Sequence, residues 1–364
     1  MLNKLILANL THRPVRTLLS VLAIAVEVTM ILTLVGVSYG TLHSTAERAR
    51  GVGADIIVRP PGSSVMSSLS SSPLSEKFLP VLMQQPHVVS VTGTVIQGLT
   101  WPDSITGLDF PAFQKMSGGF SYLSGGDPVN DNDMTVDEYY ARQKHLQVGS
   151  GIDLLDHNWN ISGIYTGGKL ARICVKLTVL QELTQRPGYL TQIYAKLDDP
   201  KYAQQVVDDL KVKLDDDQIY TMDSLVSLYS INNVGMLKDF IWVVIVISVI
   251  VGFIVVFMAM YTAVLERTRE IGIIKAVGGS SALVLNILLR ETLVLAVLGT
   301  LLGIVLTYGA QALMKFYPGN LVQETVYYWW PITGGIAIVG ALLGSIVPGY
   351  KAVRQDVTEA LSYE

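Results

Sequence analysis

The chain has 364 residues, of which 50% are hydrophobic and 15% are charged, whereas soluble domains carry about 25% charged residues. Its 26 basic and 30 acidic side chains nearly balance, which argues against a nucleic-acid-binding protein because such a protein carries a basic surplus. The single cysteine, Cys174, excludes an intramolecular disulfide and a zinc site built from several thiolates. We therefore expect a membrane protein with a substantial soluble part.

Four apolar runs are long enough to cross a bilayer, which takes about 20 mostly apolar residues. They cover residues 18–42, 240–265, 283–310 and 331–350. The first run has the basic flank of a signal peptide, but it is longer than the roughly 7–15 residues of a signal core and it contains Glu27. We therefore predict that it is a retained membrane helix.

The positions of Lys and Arg in the short loops predict the orientation of these helices. Basic side chains cluster in residues 1–17, 266–282 and 351–364. The loop 311–330 holds one, Lys315. We therefore expect both termini and the 266–282 loop in the cytoplasm, with residues 43–239 and 311–330 outside. The fourth run begins with the aromatic belt typical of a membrane surface, formed by Tyr327, Tyr328, Trp329 and Trp330.

Residues 43–239 change to short alternating patterns, which predict a mixed α+β extracytoplasmic domain between the first and second membrane helices. Strands are predicted at residues 54–59, 88–97, 172–177 and 189–197, with a hairpin of 152–155 and 159–165. Helices are predicted at residues 135–146, 178–184 and 200–214. The serine-rich segment 62–75 is typical of a surface loop.

Two segments that flank the membrane predict a stalk. Apolar side chains recur every three residues from Leu225 to Leu237, and residues 39–50 contain no helix breaker. An apolar stripe of this kind needs a partner, which favours two helices that project together beyond the bilayer. The alternative is a pair of ordinary linkers.

Residues 163–170 match the spacing of a phosphate-binding loop up to the last position, where Leu170 replaces the Ser or Thr that holds magnesium. The histidines of the external domain and the run 215–217 lack the spacing of metal ligands, and Cys174 is expected to be a small buried side chain. We therefore predict no catalytic group, no metal site and no ATP site in this chain.

Small residues four apart on membrane helices let two backbones approach closely. Three such pairs are Gly36 with Gly40, Gly299 with Gly303, and Gly340 with Gly344. They predict a tightly packed helical bundle or a dimer.

Three charged residues lie within or beside the membrane runs. Glu27 is costly in hydrocarbon, so it is expected to face other helices, either as part of a transport path or in a structural hydrogen bond. Arg290 and Glu291 lie near the start of the third run. They face the same choice, although Arg290 is close enough to the helix end to reach water.

The loop 266–282 has a charged start, an apolar interior and a helix stop at Gly278 and Gly279. The side chains expected to face the membrane or a protein groove are Ile271, Ile274, Ala276 and Val277. Those expected to face water or a partner are Arg267, Arg269, Glu270 and Lys275. A generic helix lying on the membrane surface has the same amphipathic character.

The sequence from Arg267 to Gly278, Arg-Thr-Arg-Glu-Ile-Gly-Ile-Ile-Lys-Ala-Val-Gly, resembles the cytoplasmic signature of FtsX-like/MacB-like ABC transporter permeases. The entry to the first helix, residues 13–20, and the tail, residues 348–361, are similar to the family's terminal patterns, although Val357 stands where the family has proline. Residues 146–149 and 159–164 resemble the MacB-type periplasmic core. The FtsX-like permease region would span about 240–361.

This resemblance implies a four-helix permease subunit of the mechanotransmission type, located in the bacterial cytoplasmic membrane. Its implied partners are a cytoplasmic ABC ATPase that binds ATP and Mg²⁺, a second permease subunit (identical or different), the lipid bilayer, and a periplasmic adaptor or substrate-binding protein. The implied function is export or extraction of a hydrophobic substrate, lipoprotein, peptide or drug. The implied ATPase-coupling residues are Glu266, Arg267, Arg269, Glu270, Ile271, Gly272, Ile274, Lys275 and Gly278.

Two other functions stay open from the sequence. A signalling or scaffold permease would pass ATPase motion to external cell-wall hydrolases without moving a substrate. A membrane-anchored enzyme would act through its external domain, but the lack of a catalytic constellation counts against it.

Overall fold

The computed structural model describes residues 14–63, 74–99, 103–213, 218–230, 234–316 and 322–354. Within these residues there are two compact units, one built from 14–39, 236–316 and 323–354 and the other mainly from 40–235. The first contains most of four helices that are long and apolar enough to cross a membrane. The second is a sheet covered by helices, as predicted.

The helices are numbered along the chain. They are α1 (Pro14–Arg50), α2 (Phe78–Met83), α3 (Phe110–Ser117), α4 (Glu138–Lys144), α5 (Leu177–Leu183), α6 (Ala203–Lys213), α7 (Met222–Leu228), α8 (Gly235–Glu266), α9 (Thr268–Ala276), α10 (Ser281–Phe316) and α11 (Trp329–Arg354). The four membrane-length helices are α1, α8, α10 and α11, and each contains one of the four predicted apolar runs.

The first helix is much longer than a bilayer requires. α1 has 37 residues, which corresponds to about 55 Å at 1.5 Å per residue, against about 30 Å of hydrocarbon. The described part of this helix starts at Pro14. It then runs without a break through the predicted stalk residues 39–50.

The second predicted stalk segment differs from expectation. Leu225 lies in α7 and is buried in the core of the external domain, in one cluster with Ile57 and Tyr194. α7 ends at Leu228 and α8 begins only at Gly235, while Ile231 lies outside the described residues. Leu225 therefore finds its partner within the domain, and α7 and α8 do not form one continuous stalk helix.

Two of the three glycine pairs lie at helix contacts in the membrane unit. A Cβ atom on Gly303 would lie 2.7 Å from Cβ of Val28, and one on Gly299 would lie 2.7 Å from Cβ of Ile24, so both glycines let α10 approach α1. The hydroxyl of Thr29 also donates to the carbonyl of Gly303 at 3.0 Å. On α11, Gly344 permits an equally close approach to the backbone of α8.

Glu27 is buried against another helix, as its cost in hydrocarbon predicts. Its side chain is 6% exposed and lies on Gly252 of α8, where an added Cβ would come within 2.0 Å of Oε2. Among the described residues, Oε1 has no hydrogen-bond partner. Its role in transport or in structure stays a prediction.

The external domain contains twelve strands in its described part. They are β1 (Ile56–Arg59), β2 (Leu74–Ser75), β3 (Val88–Gly98), β4 (Ser104–Leu108), β5 (Tyr122–Gly125), β6 (Asp133–Asp137), β7 (Gly151–Leu154), β8 (His157–Tyr165), β9 (Ile173–Lys176), β10 (Tyr189–Leu190), β11 (Gln192–Leu197) and β12 (Gln218–Thr221). Ten of them form one mixed sheet in the order β12-β1-β11-β3-β4-β9-β6-β8-β5, with β7 also paired to β8.

Side chains alternate between the two faces of this sheet, as the period of a strand requires. In β1, Ile56 and Val58 belong to a core closed by α2, α5 and α6. Ile57 belongs to the core on the opposite face, which is closed by α3, α7 and the residues that follow α1. β1 is therefore a Val- and Ile-rich strand that is buried on both faces.

The secondary structure differs from the predictions at several places. The predicted helix 135–146 begins only at Glu138, because residues up to Asp137 form β6, which is paired on both sides. The predicted strand 189–197 is divided into β10 and β11. Both β4 and α3 were missed, and most of the serine-rich segment 62–75 lies outside the described residues.

The close approach of α1 and α10 gives a first prediction. Gly303→Ala would place a methyl group against Val28 and the carbonyl of Ala25, and we expect this overpacking to cost about 1–3 kcal/mol of stability. The control is Gly309→Ala on the same helix, where nothing lies within 4 Å. Thermal unfolding of the detergent-solubilised chain measures both variants. Equal midpoints would show that this contact does not limit stability.

Candidate functional site

The short helix α9 lies between two membrane-length helices and is bounded at both ends by identifiable interactions. It follows α8 after a break at Arg267, whose backbone is outside the helical region at φ −109° and ψ 14°. It ends at Gly278, whose φ of +94° is favourable for glycine and costly for other residues. The amide of Gly279 donates to the carbonyl of Ile274 at 2.8 Å and closes the last turn.

A cluster of four charged side chains lies at the start of α9. Nη1 of Arg267 donates to both carboxylate oxygens of Glu291 on α10, at 3.1 and 3.4 Å. Nη2 of Arg16, near the start of α1, lies 3.4 Å from the same carboxylate. Nη1 of Arg16 lies 3.3 Å from Glu266 at the end of α8. We call these four residues the charge cluster.

The centre of the charge cluster is removed from solvent. The Glu291 side chain is 1% exposed and that of Arg267 is 9% exposed. A buried carboxylate is tolerated where it is paired and hydrogen-bonded, and Glu291 meets this condition with two guanidinium groups. Removing one partner of such a pair costs about 3–5 kcal/mol because the other charge is left uncompensated. Separating these groups is therefore costly, which keeps α1 and the start of α9 in contact with α10.

This burial corrects the sequence-based view of Arg267, which was expected to face water or a partner. Its position one residue before α9 turns its guanidinium inward, towards Glu291. Each charge was considered separately in the sequence, so their pairing was missed. One signal in the sequence indicates such a cluster. It is an acidic residue inside a membrane helix, combined with arginines at the ends of two other helices.

The apolar residues of α9 divide into an inner and an outer set. Ile271 is 6% exposed and Ile274 packs beside it, in the core formed by the membrane helices. They were predicted to lie against a partner or the membrane, but they already lie within the unit. On the outside are Arg269, Glu270, Ile273, Ala276 and Val277, and Val277 is 85% exposed.

The far end of α9 is tied to the last membrane helix. Nζ of Lys275 donates to the carbonyl of Val353 at 2.7 Å, close to the end of α11, where a positive charge is favourable for the helix dipole. The remaining predicted residues do not join this contact. Gly272 is buried within α9, and Arg290 is exposed with its Nε bonded to Asn286 on its own helix at 2.8 Å.

The opposite end of α1 is held by the second half of the glycine-rich segment 163–170, which begins in β8 and continues as a loop after Tyr165. The amide of Leu170 donates to the carbonyl of Arg48 at 3.1 Å, and a Cβ on Gly51 would come within 2.2 Å of the carbonyl oxygen of Gly168. Nζ of Lys169 donates to the carbonyls of Ser117 and Gly119. This loop therefore fixes the end of α1 in the external domain, and its lysine is already occupied by backbone oxygens.

A buried carboxylate accompanies this attachment. Asp137 is fully buried and caps α4 by accepting a hydrogen bond from the amide of Tyr140 at 2.7 Å. Burial raises the pKa of Asp137 to about 6, against the lowering effects of that hydrogen bond and of the positive charges of Arg172 and Arg48. Titration of Asp137 therefore changes the charge balance around the last turns of α1.

Family models cover nearly the whole chain. Residues 17–213 match the MacB-like periplasmic core domain, and residues 242–357 match the FtsX-like permease C-terminal region. The first of these alone covers more than half of the chain. The chain belongs to the MacB/FtsX family of ABC transporter permeases, and it is a multi-pass membrane protein.

Individual relatives agree with this family. The macrolide export ATP-binding/permease protein MacB of Burkholderia cenocepacia is 27% identical over 398 residues, covering 98% of this chain and 56% of that protein. The ABC transporter permease YknZ of Bacillus subtilis is 38% identical over 121 residues, or 32% of this chain and 30% of that one. The chain thus spans little more than half of the MacB relative.

Among solved structures, the periplasmic region of MacB from Actinobacillus actinomycetemcomitans matches 48% of this chain and 92% of that chain. The sequence identity is 14% and the TM-score is 0.38.

The raised pKa of Asp137 gives a second prediction. Between pH 4 and 6 the unfolded carboxyl loses its proton before the folded one, so the wild-type domain loses stability as the pH rises, by up to about 3 kcal/mol. Asp137→Asn removes this dependence while keeping a residue that can cap α4. Hydrogen–deuterium exchange of amides 138–144, corrected for the intrinsic exchange rate, measures it in the full chain.

The control for this measurement is Asp109→Asn, which changes the exposed cap of α3 and leaves Asp137 intact. It is expected to retain the wild-type pH dependence at α4. The same pH dependence in Asp137→Asn as in wild type would assign the titration to another group.

Proposed function

We propose that this chain couples the cycle of a cytoplasmic ABC ATPase to movement of its extracytoplasmic domain, with α9 as the ATPase-docking element. The observation that carries the proposal is a short helix, set between two membrane helices and fixed at both ends, that presents an outer face with no packing partner among the described residues. A docked ATPase would bury this face.

The outer face of α9 has the composition of a small docking surface. Ile273 and Val277 lie one helical turn apart, and burying both would contribute about 1.5–3 kcal/mol each. Arg269 and Glu270 flank them with opposite charges that can fix the orientation of a partner. These four residues take the place of Ile271 and Arg267 in the proposed docking surface, because Ile271 and Arg267 are buried within the membrane unit.

The energy source would be external to the residues described. ATP and Mg²⁺ would bind to the ATPase, since the phosphate-loop-like segment of this chain ends in Leu170 and its lysine binds backbone carbonyls. A second permease subunit would complete the transporter in the bacterial cytoplasmic membrane. The substrate class we propose is a hydrophobic molecule, lipoprotein, peptide or drug that is exported or extracted.

Docking through α9 gives a third prediction. Val277→Asp and Glu270→Lys are expected to reduce co-purification of the ATPase at least tenfold, because one places a charge in the apolar contact and the other reverses a charge beside it. The measurement is the amount of ATPase recovered per permease from detergent-solubilised membranes. Insertion and folding are checked by size-exclusion profile.

Val212→Asp is the matched control, because Val212 is an equally exposed valine on α6 of the external domain. It is expected to leave ATPase recovery unchanged. Wild-type recovery in both α9 variants would exclude this face as the docking site and favour a helix that only lies on the membrane.

The proposed orientation gives a fourth prediction. A cysteine at Gln205, exposed on α6, should react with a membrane-impermeant maleimide added to intact cells, and a cysteine at Ser280, exposed after α9, should react only after permeabilisation. Cys174 is buried and adds little background. The reverse labelling pattern would contradict an external domain and cytoplasmic termini.

A further inference from the structure

We propose that Glu291 is a positioning residue that transmits movement of α9 to α1 through Arg267 and Arg16. This inference rests on the proposed function, because it assumes that an ATPase moves α9. The inference adds the contacts through which a movement of α9 would be transmitted to α1. The observation that supports the inference is that the buried carboxylate of Glu291 binds the guanidinium groups of Arg267 and Arg16, which belong to two different segments.

The geometry makes the charge cluster a direct link. Arg267 is the last residue before α9 and contacts both oxygens of Glu291, so a displacement of α9 pulls on this carboxylate. Arg16 contacts the same carboxylate from the third residue of α1. Because the pair is buried and its separation is costly, the three segments are expected to shift together during the cycle.

The link to α1 is significant because of where α1 ends. α1 continues as one helix to Arg50, and its last turn accepts a hydrogen bond from the amide of Leu170 of the external domain at the carbonyl of Arg48. α1 also packs closely on Gly299 and Gly303 of α10, which fits a shift of these two helices together. A displacement applied at Arg16 is therefore applied to a helix whose other end is fixed in the domain.

The second attachment of α9 has a different character. Lys275 donates a hydrogen bond to the backbone carbonyl of Val353 near the end of α11. It steadies the end of α9 on the bundle. This hydrogen bond joins α9 to α11, whereas the charge cluster joins the start of α9 to α1.

The test separates ATPase binding from domain movement. Spin labels at Gln205 in the external domain and Asp239 near the start of α8, both exposed, report the distance between them in the full complex with ADP and with ATP plus vanadate. We expect Arg16→Gln to reduce the ATP-dependent distance change at least twofold. ATPase recovery and hydrolysis rate should stay within twofold of wild type, which a purely structural defect would not produce.

Arg290→Gln is the matched control, because Arg290 is the neighbour of Glu291 and bonds only to Asn286 among the described residues. It is expected to show the full distance change. Arg16→Lys keeps the charge but cannot span two carboxylates as a guanidinium does, and it should fall between wild type and Arg16→Gln.

Glu291→Gln is expected to behave as Arg16→Gln, with a larger loss of stability. If the Glu291→Gln protein is poorly recovered, the result for Arg16→Gln tests the proposal alone. The Arg16 side chain is 18% exposed, so its replacement disturbs the fold less. A full distance change in Arg16→Gln would overturn the role of the charge cluster while leaving α9 docking intact. Loss of ATPase binding in Arg16→Gln would also overturn it. No distance change in wild type would refute the proposed function itself.

Discussion

The buried carboxylate of Glu291 is the interaction on which the α9 end of the membrane unit depends. An ionised acid in a membrane helix is stable only with nearby opposite charge, and here Arg267 and Arg16 both provide it. Because both arginines bind the Glu291 carboxylate, the start of α9 and the first turn of α1 are held against α10. The electrostatic requirement of a single side chain thus determines how three segments are connected.

The rest of the membrane unit relies on close contact between backbones. Glycines at 299, 303 and 344 remove the side chains that would separate the helices, since helices in lipid associate through packing at small residues. The apolar inner face of α9, with Ile271 and Ile274, joins the same core. α9 is therefore an integral part of the helical unit, and a partner that displaces it acts on the helices directly.

Much of this arrangement could be predicted from the sequence. Length and hydropathy predicted the four membrane-length helices, and the spacing of Val and Ile predicted β1, β3 and the β7–β8 hairpin. The helix stop at Gly278 followed from the conformational freedom of glycine. Local patterns of this kind depend on a few neighbouring residues, so they are readable without the fold.

What the sequence did not predict depends on distant residues. The pairing of Arg267 with Glu291 joins positions 24 apart, and that of Arg16 with Glu291 joins positions 275 apart. Ile271 is buried in the core formed by the membrane helices, a contact with residues distant in the sequence. Residues 135–137 appear helical by local pattern, but pairing with β8 and β9 makes them a strand. Tertiary contacts therefore decided both the charge cluster and the outer face of α9.

Site-specific photo-crosslinking from α9 tests the central claim most directly. A photoreactive amino acid at Ile273, on the outer face, should crosslink to the ATPase in intact membranes, and the product is identified by mass spectrometry. The same group at Val89, equally accessible but in the external domain, should give no such product. Crosslinks from Ile273 to lipid alone, with the ATPase present, would contradict α9 as the element that receives the work of ATP hydrolysis.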